Sequence, residues 1–252
     1  MERLALLEAQ QLTHIFPNGQ VGIGDISLKI HAGEFIIIAG ANGSGKTVFI
    51  RHLNGLLTPT KGQVLLDGCP ISRNIVQARK RIGLIFQDSN SQFVGQTASE
   101  DVAFGPENLN LPRSEIEKIV DESLEAVDLT HLATYNPYAL SGGQKRKLAI
   151  AGVLAMKPDV IMFDEPFTGL DYLGVVQVLK QLIRLHQKGH TIILVTHELE
   201  KVLAHASRLL IIYQGKLVVD GKPERVIDEV CKYGVRMPLK DGERVDSLTW
   251  LT

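Results

Sequence analysis

The sequence predicts an α/β fold: a largely parallel sheet with an antiparallel β edge ahead of it and a helical insertion within it. Three observations point there. Short apolar runs, FIIIA (35–39), GLIF (83–86), VIMF (160–163) and TIILV (191–195), alternate with helix-compatible segments. That alternation favours right-handed crossovers between parallel strands. A glycine-rich loop joins the first of these runs to a helix, and residues from about 88 to 157 look helical between strands.

Composition narrows the class. The chain has 252 residues, 44% of them hydrophobic, enough for one large α/β domain or two small ones. A formal net charge of −1 gives no global field toward nucleic acid, so no nucleic-acid partner is expected. The longest apolar runs are strand-length, short of the ~20 residues that span a bilayer. The start, MERLALLEAQ, lacks the layout of a signal peptide, which predicts a cytosolic protein. Cys69 and Cys231 lie far apart in sequence and read as inert thiols.

In chain order, ALLEAQQLTHIF reads as a strand, PNGQVGIG as turn-rich, and ISLKIHAG as an alternating strand. Phe16 precedes the Pro17-Asn18-Gly19 turn, placed either to stack on a base or to pack at the sheet edge. TPTKGQVLLDG reads as turn, strand, turn, and RIGLIFQ as a buried strand ending in Gln87. Beyond the polar stretch 88–112, Ser114 and Glu117 read as a capping box. Ile116, Ile119, Val120, Leu124 and Val127 then form one apolar helix face, read as core. VIMFDEP is a strand running into two carboxylates, with a helix following from about Leu173 to Gln187. TIILVT ends at His197, ELEKVLAHA reads as another helix, and RLLIIYQGKLVVDG as a hairpin about Gln214-Gly215. ERVIDEVCK is a short helix-like piece in a tail that starts at Pro223.

The loop GANGSGKT (Gly40 to Thr47) fits G-x-x-x-x-G-K-[ST] in full, between a strand and a helix. Glycines there allow backbone angles that let N–H groups wrap a phosphate, and the next helix adds positive potential. Lys46 can reach the outer phosphates, and the Thr47 hydroxyl can coordinate Mg²⁺. Four strands end in polar chemistry: the loop, Gln87, Asp164-Glu165 and His197. Ligands bind at the carboxyl ends of strands in open parallel sheets, so these groups are expected at one rim. Asp164 suits the shell of a Mg²⁺ held by Thr47, and Glu165 suits an attacking water. Gln87 is placed for the metal or the water. His197 is placed either for the outer phosphate or to hold Glu165. LSGGQKRKLAI offers a second anion device, Ser141 capping a helix behind Gly142 and Gly143; the plain alternative is a capped helix with a basic first turn. Arg79-Lys80-Arg81 and Lys145-Arg146-Lys147 read as solvated or phosphate-facing.

Taken together, GANGSGKT, Gln87, LSGGQ, VIMFDEP, Gly169-Leu170-Asp171 and His197 resemble, in this order, the nucleotide-binding subunits of ATP-binding-cassette transporters. The resemblance covers nearly the whole chain. It implies a P-loop NTPase fold: a RecA-like core with an antiparallel β subdomain and an inserted helical subdomain (about 88–157) within residues 1–222, and a tail over 223–252. It implies ATP and Mg²⁺ as cofactors. Phe16 matches the adenine-stacking aromatic; Gly40, Asn42, Gly43, Ser44, Gly45, Lys46, Thr47 and Val48 match the ATP-binding loop. Thr47, Gln87 and Asp164 match the metal set, and Glu165, His197 and Gln87 the catalytic set. Ser141, Gly142, Gly143 and Gln144 match the signature that completes another subunit's site, and Asp171 the D-loop.

One copy of each motif implies a head-to-tail dimer, with itself or with a paralogous ATPase. The stretch FQDSNSQFVGQTASEDVAFGPENLNLP and the tail GVRMPL are similar to ATPases of energy-coupling-factor transporters, which take up vitamins or cobalt and nickel ions. That implies a transmembrane coupling protein docked near Gln87, a substrate-binding membrane component, and a place on the cytoplasmic face of the membrane. A soluble cassette switch acting on nucleic acid or the ribosome, or the ATPase of a conventional importer, are the competing readings. Two departures stand out: Val48 where threonine is common, and Gly169 where alanine or serine is common.

Overall fold

The computed structural model describes residues 4–240 and 242–251; the reading of the extreme N-terminus therefore falls partly on residues outside it. The chain begins with β1 (Leu7–Ile15), β2 (Val21–Ile30), β3 (Phe35–Ala39), α1 (Lys46–Leu53), β4 (Lys61–Leu66) and β5 (Cys69–Pro70). It continues through α2 (Ile75–Arg81), β6 (Ile82–Ile85), α3 (Ala98–Asn108), α4 (Arg113–Ala126) and α5 (Gly142–Leu154). Then come β7 (Val160–Asp164), α6 (Tyr172–Gln187), β8 (Thr191–Val195), β9 (Arg208–Tyr213), β10 (Lys216–Gly221) and α7 (Pro223–Val226).

Four strands make an antiparallel sheet in the order β2-β1-β4-β5, and six make a second in the order β10-β9-β3-β8-β7-β6. In the second sheet β9, β3, β8, β7 and β6 run parallel, with β10 an antiparallel edge. Both faces of this sheet are covered, which is why its strands are continuous apolar runs rather than alternating ones. Phe35, Ile37 and Ala39 face a cluster that includes Leu148 of α5 and Leu182 of α6. Ile36 and Ile38 face the other way, onto Phe49 and Ile50 of α1 and Leu12 and Ile23 of the antiparallel sheet. The loop from Gly40 to Thr47 thus springs from a strand clamped on both sides.

Helices α3, α4 and α5 form the insertion between β6 and β7, as expected. Four local readings are corrected. α4 begins at Arg113 without a side-chain cap; Ser114 lies inside it, and Glu117 is held by Arg113 at 3.0 Å instead. VGIG belongs to β2 rather than to the turn. The expected helix over ELEKVLAHA is two short 3₁₀ turns, Leu199–Lys201 and Leu203–His205. Its backbone is partly engaged elsewhere: Lys201 O accepts from Trp250 N, and Ala204 N donates to Leu248 O. The basic clusters are only partly solvated. Arg146 is buried, and Arg81 pairs with Asp67 and Asp159. Cys69 and Cys231 are free and exposed.

Candidate active site

The carboxyl ends of β3, β6, β7 and β8 do converge. A cavity of about 580 Å³ is lined by Phe16, Asn42 to Val48, Gln87, Glu165 and His197, together with Gln20, Val21, Gly22 and Thr168. Gly40 lies beneath the loop with φ 149°, and a Cβ there would stand 2.2 Å from the Ile212 carbonyl oxygen. Gly45, at φ 105°, would carry a Cβ 2.6 Å from Gly22 O. Only glycine permits both the angle and the approach.

Lys46, the first residue of α1, is buried and donates from Nζ to Gly40 O at 2.8 Å and Ala41 O at 3.0 Å. Burial pushes its pKa down, opposed by the nearby charges of Glu165 and Asp164. The Thr47 hydroxyl donates to Asp164 Oδ1 at 3.1 Å. Burial raises the Asp164 pKa; the Thr47 bond, Arg51 and Lys46 oppose this, and Glu165 adds to it. His197 Nδ1 lies 3.0 Å from Glu165 Oε2, with the carboxylate buried and the imidazole largely exposed.

These residues fit a Mg²⁺-bound nucleoside triphosphate. A buried ammonium faces the loop, and two adjacent buried carboxylates call for positive charge. The Ser44 hydroxyl is buried with no hydrogen-bond partner among the described residues. A glycine-rich loop leading into a helix N-terminus is a setting that suits phosphate. Phe16 lies over Gly22, whose Cβ would come within 2.8 Å of the ring, so it forms an aromatic part of the cavity wall.

The residues expected to form the signature are elsewhere. Ser141 caps α5: its hydroxyl accepts from Gln144 N at 3.3 Å, and Gln144 Oε1 accepts from Ser141 N at 2.9 Å. Asp171 caps α6 by accepting from Gly174 N at 2.8 Å. The two caps are neighbours, since a Cβ on Gly142 would sit 3.2 Å from Leu170 and one on Gly143 would sit 3.5 Å from Gly174. Among the described residues, neither Ser141 to Gln144 nor Asp171 lines the phosphate cavity.

One contributor escaped the sequence reading. Arg146 donates from Nη1 to Phe86 O at 2.7 Å, fixing the carbonyl just before Gln87. Burial lowers its pKa, while Asp88 and Asp164 act against that. Its place on α5, two residues beyond the signature, was visible as spacing; its inward direction was not. Gln20 and Thr168 also went unread, because turn residues carry no periodic signal.

Residues 23–168 match the family model described as ABC transporter. The chain is 41% identical to the energy-coupling factor transporter ATP-binding protein EcfA of Methanocaldococcus jannaschii, over 92% of this chain and 86% of that protein. It is also 41% identical to EcfA2 of Clostridium tetani, over 89% of this chain and 81% of that protein. Among solved structures it resembles cbiO1 from Clostridium perfringens, part of the ABC transporter complex cbiONQ. That match has TM-score 0.81 and 35% identity, covering 93% of this chain and 96% of the other. A dimeric ATP-binding cassette, MJ0796, in a post-hydrolysis state with ADP and phosphate, matches with TM-score 0.77 and 28% identity over 86% and 98% of the two chains. The chain therefore belongs to the ABC transporter family, as an ATP-binding and ATP-hydrolysing cassette of the energy-coupling-factor kind.

Proposed function

We propose that this chain energises a membrane importer of the energy-coupling-factor type, for a vitamin or for cobalt or nickel ions. In this reading it is a peripheral subunit on the cytoplasmic face of the membrane. One observation carries the reading of its mechanism: the hydrolytic groups and the Ser141 to Gln144 cap, with Ser141 and Gly142 exposed, stand at separate places on one chain. A second cassette, another copy or a paralogue, brings its cap onto the phosphates in this cavity, and this chain's cap completes the site of the other.

Within the closed site Phe16 supports the base and Lys46 offsets phosphate charge. Thr47, Asp164 and Gln87 would hold Mg²⁺, which when bound would neutralise charge on the phosphate oxygens. Glu165 positions and deprotonates the attacking water, and His197 keeps that carboxylate oriented. Closing two cassettes on ATP and opening them after hydrolysis supplies the stroke.

The stroke needs a membrane-bound receiver. A groove beside Gln87, about 290 Å³, is lined by Leu56, Phe86, Gln92, Val94, Phe104 and Met156 among others, with Val94 and Phe104 61% and 50% exposed. It lies between the core and the inserted helices, where a transmembrane coupling protein would register their relative movement. A substrate-binding membrane component would select the cargo. Tagged chain purified from membranes is expected to bring an integral membrane protein with it, and Phe104→Glu is expected to lose that protein while keeping ATP hydrolysis. A wild-type chain that never retains a membrane protein would contradict the importer assignment.

A further inference from the structure

Lys201 stands where three segments of the site meet. Its side chain is buried, and Nζ pairs with Glu198, the residue after His197. The same ammonium lies 5.8 Å from the ring centre of Phe167, two residues beyond Glu165, and 4.5 Å from that of Trp250. Trp250 in turn packs on Tyr172, ring centres 5.3 Å apart, and Tyr172 directly follows Asp171. One cation therefore touches the segments that carry Glu165 and His197, and one indole joins it to the segment that carries Asp171.

The segment around Trp250 is tied to the two 3₁₀ turns by more than the ring. Trp250 N donates to Lys201 O at 3.1 Å, and Ala204 N donates to Leu248 O at 3.0 Å. His205 Nε2 meets Thr249 Oγ1 at 2.8 Å, and Leu248 is buried. Short 3₁₀ turns have few internal hydrogen bonds, so outside contacts set their conformation. The other Glu198 oxygen, Oε2, is buried without a hydrogen-bond partner among the described residues, which leaves Lys201 as the group that orients this side chain in the structure. On the opposite side of His197, Thr196 is anchored to the sheet through Ile38 O at 3.2 Å.

We infer that Trp250 is a positioning residue for ATP hydrolysis: its indole face holds the Lys201 ammonium, which fixes the turn that sets His197 against Glu165. This rests on the assignment of Glu165 and His197 to hydrolysis. Indole is the strongest side-chain acceptor for a cation over its face, phenyl a weaker one, and an aliphatic side chain fills the space without that attraction. Displacements of about 1 Å at a reacting centre can cost up to ~10²-fold in rate. Nucleotide binding, which depends on the loop and Phe16, lies outside this linkage.

The test uses the full chain with Trp250→Phe and Trp250→Leu, both of which keep an apolar side chain, though a smaller one than indole. Steady-state kcat is measured beside the equilibrium affinity for ATP. The expected result is a kcat about tenfold lower in the leucine variant, most of it restored in the phenylalanine variant, and ATP affinity unchanged in both. Trp250 is the single tryptophan of the chain, so its emission in the wild type is also expected to differ between the ATP-bound and ADP-bound forms. A leucine variant with wild-type kcat would overturn the inference. So would equal losses of kcat and affinity in both variants, which mark general damage. A wild-type chain without ATPase activity, both alone and with a paralogous cassette, would instead overturn the hydrolytic assignment beneath it.

Discussion

His197 Nδ1 sits 3.0 Å from Oε2 and 3.1 Å from Oε1 of Glu165, bridging both oxygens of one carboxylate. The backbone beneath is equally constrained: Glu165 has φ 48°, and its N–H donates to Val195 O at 2.9 Å. A non-glycine residue at positive φ is strained and is usually held so for a purpose. Here the strain turns Glu165 out of the end of β7 and into the cavity.

Removing the charge while keeping the shape tests that carboxylate. Glu165→Gln is expected to lower steady-state ATP hydrolysis by at least ~10²-fold while nucleotide binding persists. Light scattering is expected to show an ATP-dependent dimer accumulating in this variant. Undiminished turnover would remove Glu165 from the chemistry.

Asp164 should trade stability for function. Burial raises its pKa, so keeping its charged form buried costs the nucleotide-free protein stability. Asp164→Asn keeps an acceptor for Thr47 and removes the charge. Its nucleotide-free Tm is expected to rise by roughly 2–4 °C, the shift for about 1 kcal/mol in a chain of this size. Its hydrolysis in Mg²⁺ is expected to be lost. Thermal melts with and without Mg²⁺-ATP check both: the wild type should gain more from the ligand than the variant.

His52 sets an acid limit on stability. Its Nδ1 bonds Val48 O at 2.7 Å and so carries the proton; Nε2, 3.2 Å from His14 Nδ1, then accepts. Burial first, and then the charge of His14, lower the His52 pKa, against bonds to the Val48 and Thr58 backbone. The unfolded chain therefore takes up this proton first as pH falls below about 6.5. The His52 contribution is complete above that pH and is lost as pH falls toward the lowered folded value. Tm measured from about pH 7 to 5 is expected to fall less steeply in His52→Gln than in the wild type. Parallel curves would contradict this.

What the sequence made legible follows the physics of each signal. β3, β7 and β8 are continuous apolar runs because both faces of the sheet are buried, and the loop between β3 and α1 is fixed by glycine spacing. The Ser141 cap of α5 was readable because capping is a local hydrogen bond; the reciprocal bond from Gln144 came only with the structure. Contacts from distant residues were not readable. The turns over 199–205 depend on the backbone of Leu248 and Trp250, so helical propensity was overridden. Arg146 looked like part of a solvated basic run until the fold turned it toward Phe86 O. Ser114 resembled a cap in spacing alone, but the Arg113–Glu117 pair takes the carboxylate that the box required.

The central claim is that each hydrolytic site is completed by the cap of a second cassette. The most direct measurement mixes two variants, Lys46→Ala and Ser141→Arg. Each alone is expected to be inactive, the first in its own phosphate cavity and the second in the cap it offers its partner. Mixed in equal amounts, they can form a dimer with one site built from an intact cavity and an intact cap, and ATP hydrolysis is expected to return. Ser141→Arg hydrolysing ATP alone at the wild-type rate would contradict the account.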